Sequence, residues 1–184
     1  MMLMATAIQW NEDYAVTAKH TPYLSNVVHE GRGDVVFIKH KASQAPLWRQ
    51  PVPGEEVTAV GYNSLLMPVK GTGHTLPALV RLDNKDGGVF YSTHDGPTVK
   101  GMSGGPVFAD DGKVVGITVA YIPKSKIADL NRPDLAASDR ISVFMSYKEI
   151  DKEWRRFQGQ MAKAQQPAQK AKPASIFVAA GGAQ

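Results

Sequence analysis

The sequence predicts an all-β fold, a barrel or a sandwich, on three observations. Short runs rich in Val, Ile, Thr and aromatic residues recur through the first 145 residues. Each is bounded by Gly, Pro, Asn or Asp, the residues that end strands. A helical period appears only once, near the end of that region. In chain order the strand candidates are "ATAIQW", "YAVTA", "DVVFIKH", "EVTAVGY", "PALVRL", "GVFYST", "PVFA", "KVVGITVAYI" and "RISVFM". Turns are predicted at 11–13, 31–33, 84–88 and 110–112, and 21–33 has room for one short strand and a turn. Such spacing argues against βαβ units. The helix is predicted at 146–158, with Ser146 and Glu149 as a capping box and Ile150, Trp154 and Phe157 on one face. From 159 the composition turns to Ala, Gln, Lys and Pro, read as a linker, and it ends in an apolar patch at 175–182 that could dock on a partner or on this same domain.

Composition narrows the function classes. The 184 residues are 43% hydrophobic and 21% charged, as in a soluble globular chain. The absence of cysteine excludes a disulfide framework and a thiol nucleophile. The apolar start has no basic region or cleavage site, so no secretory signal is read, and no run approaches the roughly 18 apolar residues of a spanning helix. A cytoplasmic or virion-associated location is expected, with no membrane partner. The net charge of +4 is spread over scattered lysines, and no basic run is interleaved with aromatics, so a nucleic-acid partner is not expected.

"TVKGMSGGPVF", residues 98–108, carries the chemistry. A serine that attacks a carbonyl needs a sharp turn to present its hydroxyl and free N–H groups aimed at the developing oxyanion. Gly101 can turn its N–H to the site without a Cβ clash, and Ser103 contributes its own N–H. By chance, Gly-X-Ser-Gly-Gly-Pro arises in roughly one chain of this length per several thousand. A bare hairpin turn is the competing reading.

A serine needs a base and an orienting acid near neutral pH. Five histidines are available. His20 ends a β-run where a side chain can project into a cleft, and Asp34 opens an apolar strand. The order His20, Asp34, Ser103 is a known arrangement of such a triad. His29 and His40 remain alternative bases, and Glu30 and Asp13 alternative acids. His74 and His94 are read as solvated or structural. "RGD" at 32–34 is discounted as an adhesion signal, and "DNKDGG" lacks calcium-loop spacing.

"AVTAKH", "GDVVFIK", "PGEEVTAVGY" and "TVKGMSGGPVFADDGKVVGITV" together resemble the trypsin-like, chymotrypsin-fold serine peptidases. The pattern is most similar to the disulfide-free HtrA-type enzymes and the processing proteases of RNA viruses and phages, over about 4–158. The resemblance implies two packed antiparallel β-barrels, the first at about 1–45 and the second at about 52–145, closed by the 146–158 helix and followed by the 159–184 tail. Thirteen residues between His20 and Asp34 are few for this family, so the first barrel is expected to be trimmed to about four strands. The implied roles are Ser103 as nucleophile, His20 as base and Asp34 as its orienting acid, with an oxyanion hole from the N–H groups of Gly101 and Ser103. Neither a metal nor an organic cofactor is implied, and the substrate is a polypeptide.

By the same resemblance the primary pocket has Pro97 at its floor and Thr118, Val119, Ala120 and Tyr121 along its wall. Pro97 is not acidic, which gives no support to a Lys or Arg preference. Thr118 replaces the histidine of many viral relatives that cut after Glu or Gln, which weakens the case for that preference too. A bulky Tyr121 suggests a shallow pocket for small or apolar residues. The leading expectation is a serine endopeptidase. Processing of a viral or phage polyprotein or virion protein fits the trimmed barrel, and a bacterial housekeeping protease fits the HtrA-like strands. The alternative is a protease-fold binding or structural module with lost or self-inhibited catalysis, its cleft filled by Tyr121 or by the tail.

Overall fold

The computed structural model describes residues 6–82 and 87–166. The predicted 175–182 patch and most of the 84–88 turn lie outside the described residues. The described residues form ten strands in two antiparallel units. β1 (Ile8–Gln9), β2 (Tyr14–Thr17), β3 (Val27–Glu30) and β4 (Val36–Lys39) make a four-stranded sheet in the order β1-β2-β4-β3. The trimmed first barrel is thus a four-stranded sheet, and the 21–33 segment supplies its one short strand, β3.

The second unit is a closed six-stranded barrel. It comprises β5 (Glu56–Tyr62), β6 (Pro68–Val80), β7 (Tyr91–His94), β8 (Pro106–Ala109), β9 (Val114–Pro123) and β10 (Arg140–Ser146), in the order β10-β7-β6-β5-β8-β9. β5 alternates between buried Val57, Ala59 and Gly61 and more exposed neighbours, the period-two pattern of a strand with one buried face. β6 is much longer than the predicted 77–82 run, because Gly71 and Gly73 break the apolar pattern without breaking the ladder to β5. Between β9 and β10 lie α1 (Lys124–Ile127) and two short 3₁₀ turns.

The core joins the two units. Val57, Ala59, Val107, Val115 and Phe144 pack inside the barrel with Met102 from the serine loop. A second cluster joins Val16, Val35 and Phe37 of the sheet region to Ile117, Val143 and Met145 of the barrel and to Ile150 of the final helix.

That helix, α2 (Tyr147–Gln165), clamps the sheet. Ile150 and Phe157 are buried, and Trp154 meets Trp10, Tyr14 and Phe37 at ring distances of 5.1–6.2 Å. Full burial of such side chains contributes on the order of 1.5–3 kcal/mol each. The helix differs from expectation in two ways. Ser146 occupies the N-cap but makes no capping hydrogen bond, and Glu149 instead pairs with Lys152 at 2.6 Å. The helix also continues past Gly159 to Gln165, because Met161, Ala162, Lys163 and Ala164 are good helix formers. His29 of β3 is buried against it, 3.3 Å from Glu153, which Arg156 also holds. That contact makes His29 a structural tie rather than a base.

His94, at the end of β7, is fully buried, and neither ring nitrogen has a hydrogen-bond partner among the described residues. Burial pushes its pKa down to about 4. An unfolded histidine takes its proton below about 6.5, so between these values the unfolded state binds more protons and acid destabilises the fold. The loss amounts to roughly 3 kcal/mol in total. Replacing His94 with Leu is expected to flatten the dependence, read as urea midpoints at pH 7 and pH 5. Equal pH sensitivity in wild type and variant would show that His94 is not the cause.

Candidate active site

His20 sits just beyond β2, and Asp34 lies just ahead of β4. β2 and β4 are neighbours in the sheet, with Thr17 opposite Val36. The short loop therefore brings His20 and Asp34 together even though it holds only one short strand. The Asp34 carboxylate grips His20 at two points. Oδ1 accepts from the His20 backbone N–H at 3.0 Å, and Oδ2 lies 2.5 Å from Nδ1. This places the imidazole proton on Nδ1 and leaves Nε2 as the lone-pair nitrogen. The Asp34 backbone N–H donates to the Tyr91 hydroxyl at 2.9 Å, which ties the carboxylate's position to the barrel. The hydrogen bond to Asp34 raises the pKa of His20, against the opposing effect of partial burial. Neither Glu30 nor Asp13 bonds His20. His40 bonds Gln9, on the far side of β2.

Ser103 lies in the loop leading into β8. The next residue, Gly104, has φ +79°, and a Cβ there would meet Thr17 Oγ1 and the Thr6 carbonyl at 2.2 Å. Only glycine lets the serine loop press onto β2, the strand just ahead of His20. Gly101 has φ +106°, and a Cβ there would lie 2.6 Å from the Tyr62 carbonyl. Around these glycines the backbone donors divide into two groups. The N–H groups of Met102, Gly104 and Gly105 are engaged by the carbonyls of Val99, Thr118 and Met102. Those of Gly101 and Ser103 have no acceptor among the described residues. Two unengaged donors beside a serine hydroxyl can hold an oxyanion.

The Ser103 hydroxyl contacts the Val119 carbonyl at 3.5 Å, and among the described residues it makes no hydrogen bond to His20. A contact that long restrains the hydroxyl weakly. Nucleophile–base bonds are often long in the absence of substrate and shorten in the Michaelis complex.

Residues 5–117 match the family described as the trypsin-like peptidase domain, a span that includes His20, Asp34 and Ser103. The chain belongs to the trypsin-like peptidase family. No curated protein matches it in sequence. Among solved structures, it is similar to the inactive form of the Rv3671c protease, with 16% identity, 84% of each chain covered and a TM-score of 0.62. It is also similar to the HtrA-type protease AlgW with a tripeptide, at 17% identity and a TM-score of 0.65, covering 82% of this chain and 54% of that one. The MamO protease domain from Magnetospirillum magneticum aligns at 17% identity and a TM-score of 0.59, with 81% and 87% covered. At these identities the likeness is one of fold.

A cavity of about 240 Å³ opens beside Ser103 in this peptidase, lined by Thr98, Val99, Lys100, Thr118, Ala120 and Tyr121. Three expected pocket residues, Thr118, Ala120 and Tyr121, are there. Tyr121 stands at the wall and does not fill the space. Pro97 and Val119 do not line it. Pro97 is packed against Gly71 of β6 through its backbone and ring, and it lines a separate groove of about 470 Å³. Val119 is buried and offers only its carbonyl, to Ser103. The sequence reading missed Thr98, Val99 and Lys100, although they lie inside the serine motif. It also missed Arg140, which no sequence signal linked to the site. Arg140 donates to the Thr98 carbonyl at 2.8 Å and stacks on the Tyr121 ring at 4.6 Å.

No helix among the described residues is long and apolar enough to cross a membrane.

Proposed function

We propose that this peptidase is a serine endopeptidase acting through an acyl-enzyme. The observation that carries the reading is an imidazole oriented by Asp34, with the serine loop seated through Gly104 on Thr17 of the neighbouring strand and two unengaged backbone donors at Gly101 and Ser103. Ser103 Oγ attacks the scissile carbonyl carbon and passes its proton to His20 Nε2. Asp34 holds the tautomer and stabilises the imidazolium. The Gly101 and Ser103 N–H groups donate to the carbonyl oxygen as it becomes an oxyanion. Collapse of the tetrahedral adduct breaks the C–N bond, and the leaving amine takes the proton from His20. A water molecule, deprotonated by His20, then attacks the ester carbon and restores Ser103.

The open cavity and exposed Tyr121 favour this reading over a binding module with lost or self-inhibited catalysis. Processing of a viral or phage polyprotein, in the cytoplasm or the virion, is the task we assign to it. The shortened first sheet supports that assignment. Whether the 175–182 segment docks on a partner or on this domain is a separate part of the proposal.

Labelling with a fluorophosphonate, read by intact mass, tests the chemistry. Wild type is expected to take one adduct, and Ser103→Ala and His20→Ala none on the same timescale. A folded wild type that stays unlabelled, or a Ser103→Ala protein that still labels, would overturn the assignment.

A further inference from the structure

The charge and hydrogen-bonding capacity around the cavity beside Ser103 identify a substrate class. We infer that the cavity takes an acidic side chain, so that the peptidase cleaves after glutamate or aspartate. The inference rests on Ser103 being the nucleophile.

The cavity has a cationic wall with no anion to neutralise it. Lys100 lines it, and no Asp or Glu does. Arg140 backs it from outside, fixed between the Thr98 carbonyl and the face of Tyr121, two residues of the lining. Neither cation forms an ion pair among the described residues. The nearest acid in sequence, Asp139, is bound instead to Lys124 at 2.6 Å. A guanidinium carries five N–H donors in a planar fork. Arg140 has one hydrogen bond among the described residues, so most of that fork is unspent.

The hydroxyls of the lining differ in the same sense. Ser142 donates to the Gly96 carbonyl at 2.5 Å, so Thr98 donates to Ser142 at 2.9 Å and its proton is committed. Thr118 lines the cavity, is 2% exposed, and its Oγ1 has no hydrogen-bond partner among the described residues. An orphan buried hydroxyl is costly and gains most from a ligand that can accept its proton.

Each class of side chain meets this wall differently. A lysine or arginine is repelled by two unpaired cations. An apolar side chain leaves Thr118 unsatisfied and the cations without a counter-charge. A glutamine supplies the hydrogen bonds without the charge. A carboxylate supplies both, a charge opposite to Lys100 in the lining and Arg140 behind it, and acceptor oxygens for the lining donors. On this inference an acidic preference stands in place of the small or apolar one expected from Tyr121, and Lys100 and Arg140 supply the positive charge in place of the histidine that Thr118 replaces. Tyr121 acts as the platform that holds Arg140 rather than as a plug.

The test uses acetylated tetrapeptide coumarinyl amides that differ only in the residue before the scissile bond: Glu, Asp, Gln, Ala, Leu or Lys. In wild type, kcat/KM for Glu or Asp is expected to exceed that for Gln at least tenfold, and for Lys by more. Arg140→Gln is expected to bring the Glu-to-Gln ratio towards one, while Arg140→Lys retains part of it. Arg140 also holds the Thr98 loop, so Lys100→Gln, at an exposed position, serves as the second variant and is expected to lower the same ratio. Fluorophosphonate labelling, which presents no such side chain, reports the nucleophile independently. Wild type that labels but prefers Gln, Ala, Leu or Lys would overturn the acidic preference and leave the serine mechanism standing. So would a Glu-to-Gln ratio unchanged in both Arg140→Gln and Lys100→Gln. Failure of folded wild type to label would remove both.

Discussion

Asp34→Asn is expected to lower kcat by about 10⁴-fold while leaving the fold intact. The carboxylate accepts two hydrogen bonds from His20, one from the backbone N–H and one at Nδ1. An asparagine can keep the first through its carbonyl oxygen. Its NH₂ group then faces Nδ1 and makes that nitrogen the acceptor. The ring proton moves to Nε2, where a lone pair is needed to take the serine proton. The Asp34 backbone N–H still reaches Tyr91, so the strand stays in place.

The pH profile moves with the same substitution. The hydrogen bond to Asp34 raises the pKa of His20 above 6.5. In wild type, therefore, kcat/KM falls on acidification through a midpoint above 6.5. In Asp34→Asn only the lowering effect of burial remains, and the midpoint of the residual activity shifts down. The linked stability has the opposite window. A histidine with a raised folded pKa adds stability below its unfolded pKa and loses it as pH rises through the folded value. Denaturation midpoints should thus separate wild type from variant at pH 6 more than at pH 9. An Asp34→Asn enzyme within tenfold of wild type, with an unmoved acid limb, would assign the orienting role elsewhere.

Gly101→Ala is the second large effect, on the order of 10²–10³-fold in kcat with little change in KM. The residue stands at φ +106°, and an added Cβ would lie 2.6 Å from the Tyr62 carbonyl and 3.0 Å from the Asn63 carbonyl carbon. Neither obstacle is a flexible side chain, so the loop must turn, and the Gly101 N–H turns with it. The lost donor acts on the oxyanion more than on the ground-state carbonyl, which is why the loss falls on kcat. Fluorophosphonate labelling, which builds a similar charged adduct, should slow in proportion. The strain itself costs about 1–3 kcal/mol and should appear as a lower Tm. A variant that loses Tm but keeps kcat within threefold would show that the donor at 101 does not serve the reaction.

Most strands were legible in the sequence because β-branched runs and turn residues carry their own local signal. β5 and β9 are of this kind. β6 was half hidden, because Gly71 and Gly73 silence the pattern where the 95–97 turn passes close over the strand. The α2 capping box failed for the opposite reason. Ser146 and Glu149 have the right spacing, yet Glu149 is drawn to Lys152. At the candidate site, the glycine pattern pointed to Ser103, and the strand-end positions pointed to His20 and Asp34. The pocket was less legible. Pro97 was placed by its offset from the serine, which says nothing of which side of the loop it faces.

The sequence by itself determined which residues could act and where the backbone could bend sharply enough to present them. Those properties are local, set by side-chain chemistry and by glycines that tolerate positive φ. Only the tertiary structure decided which groups meet. The ladder between β2 and β4 brings His20 to Asp34, the close seat of Gly104 on Thr17 brings the serine loop to that strand, and the start of β10 carries Arg140 behind the cavity. These contacts join residues as far apart in the chain as Gly104 and Thr17, or Thr98 and Arg140. No local pattern encodes them, because each depends on the closure of the barrel and the packing of the sheet against it.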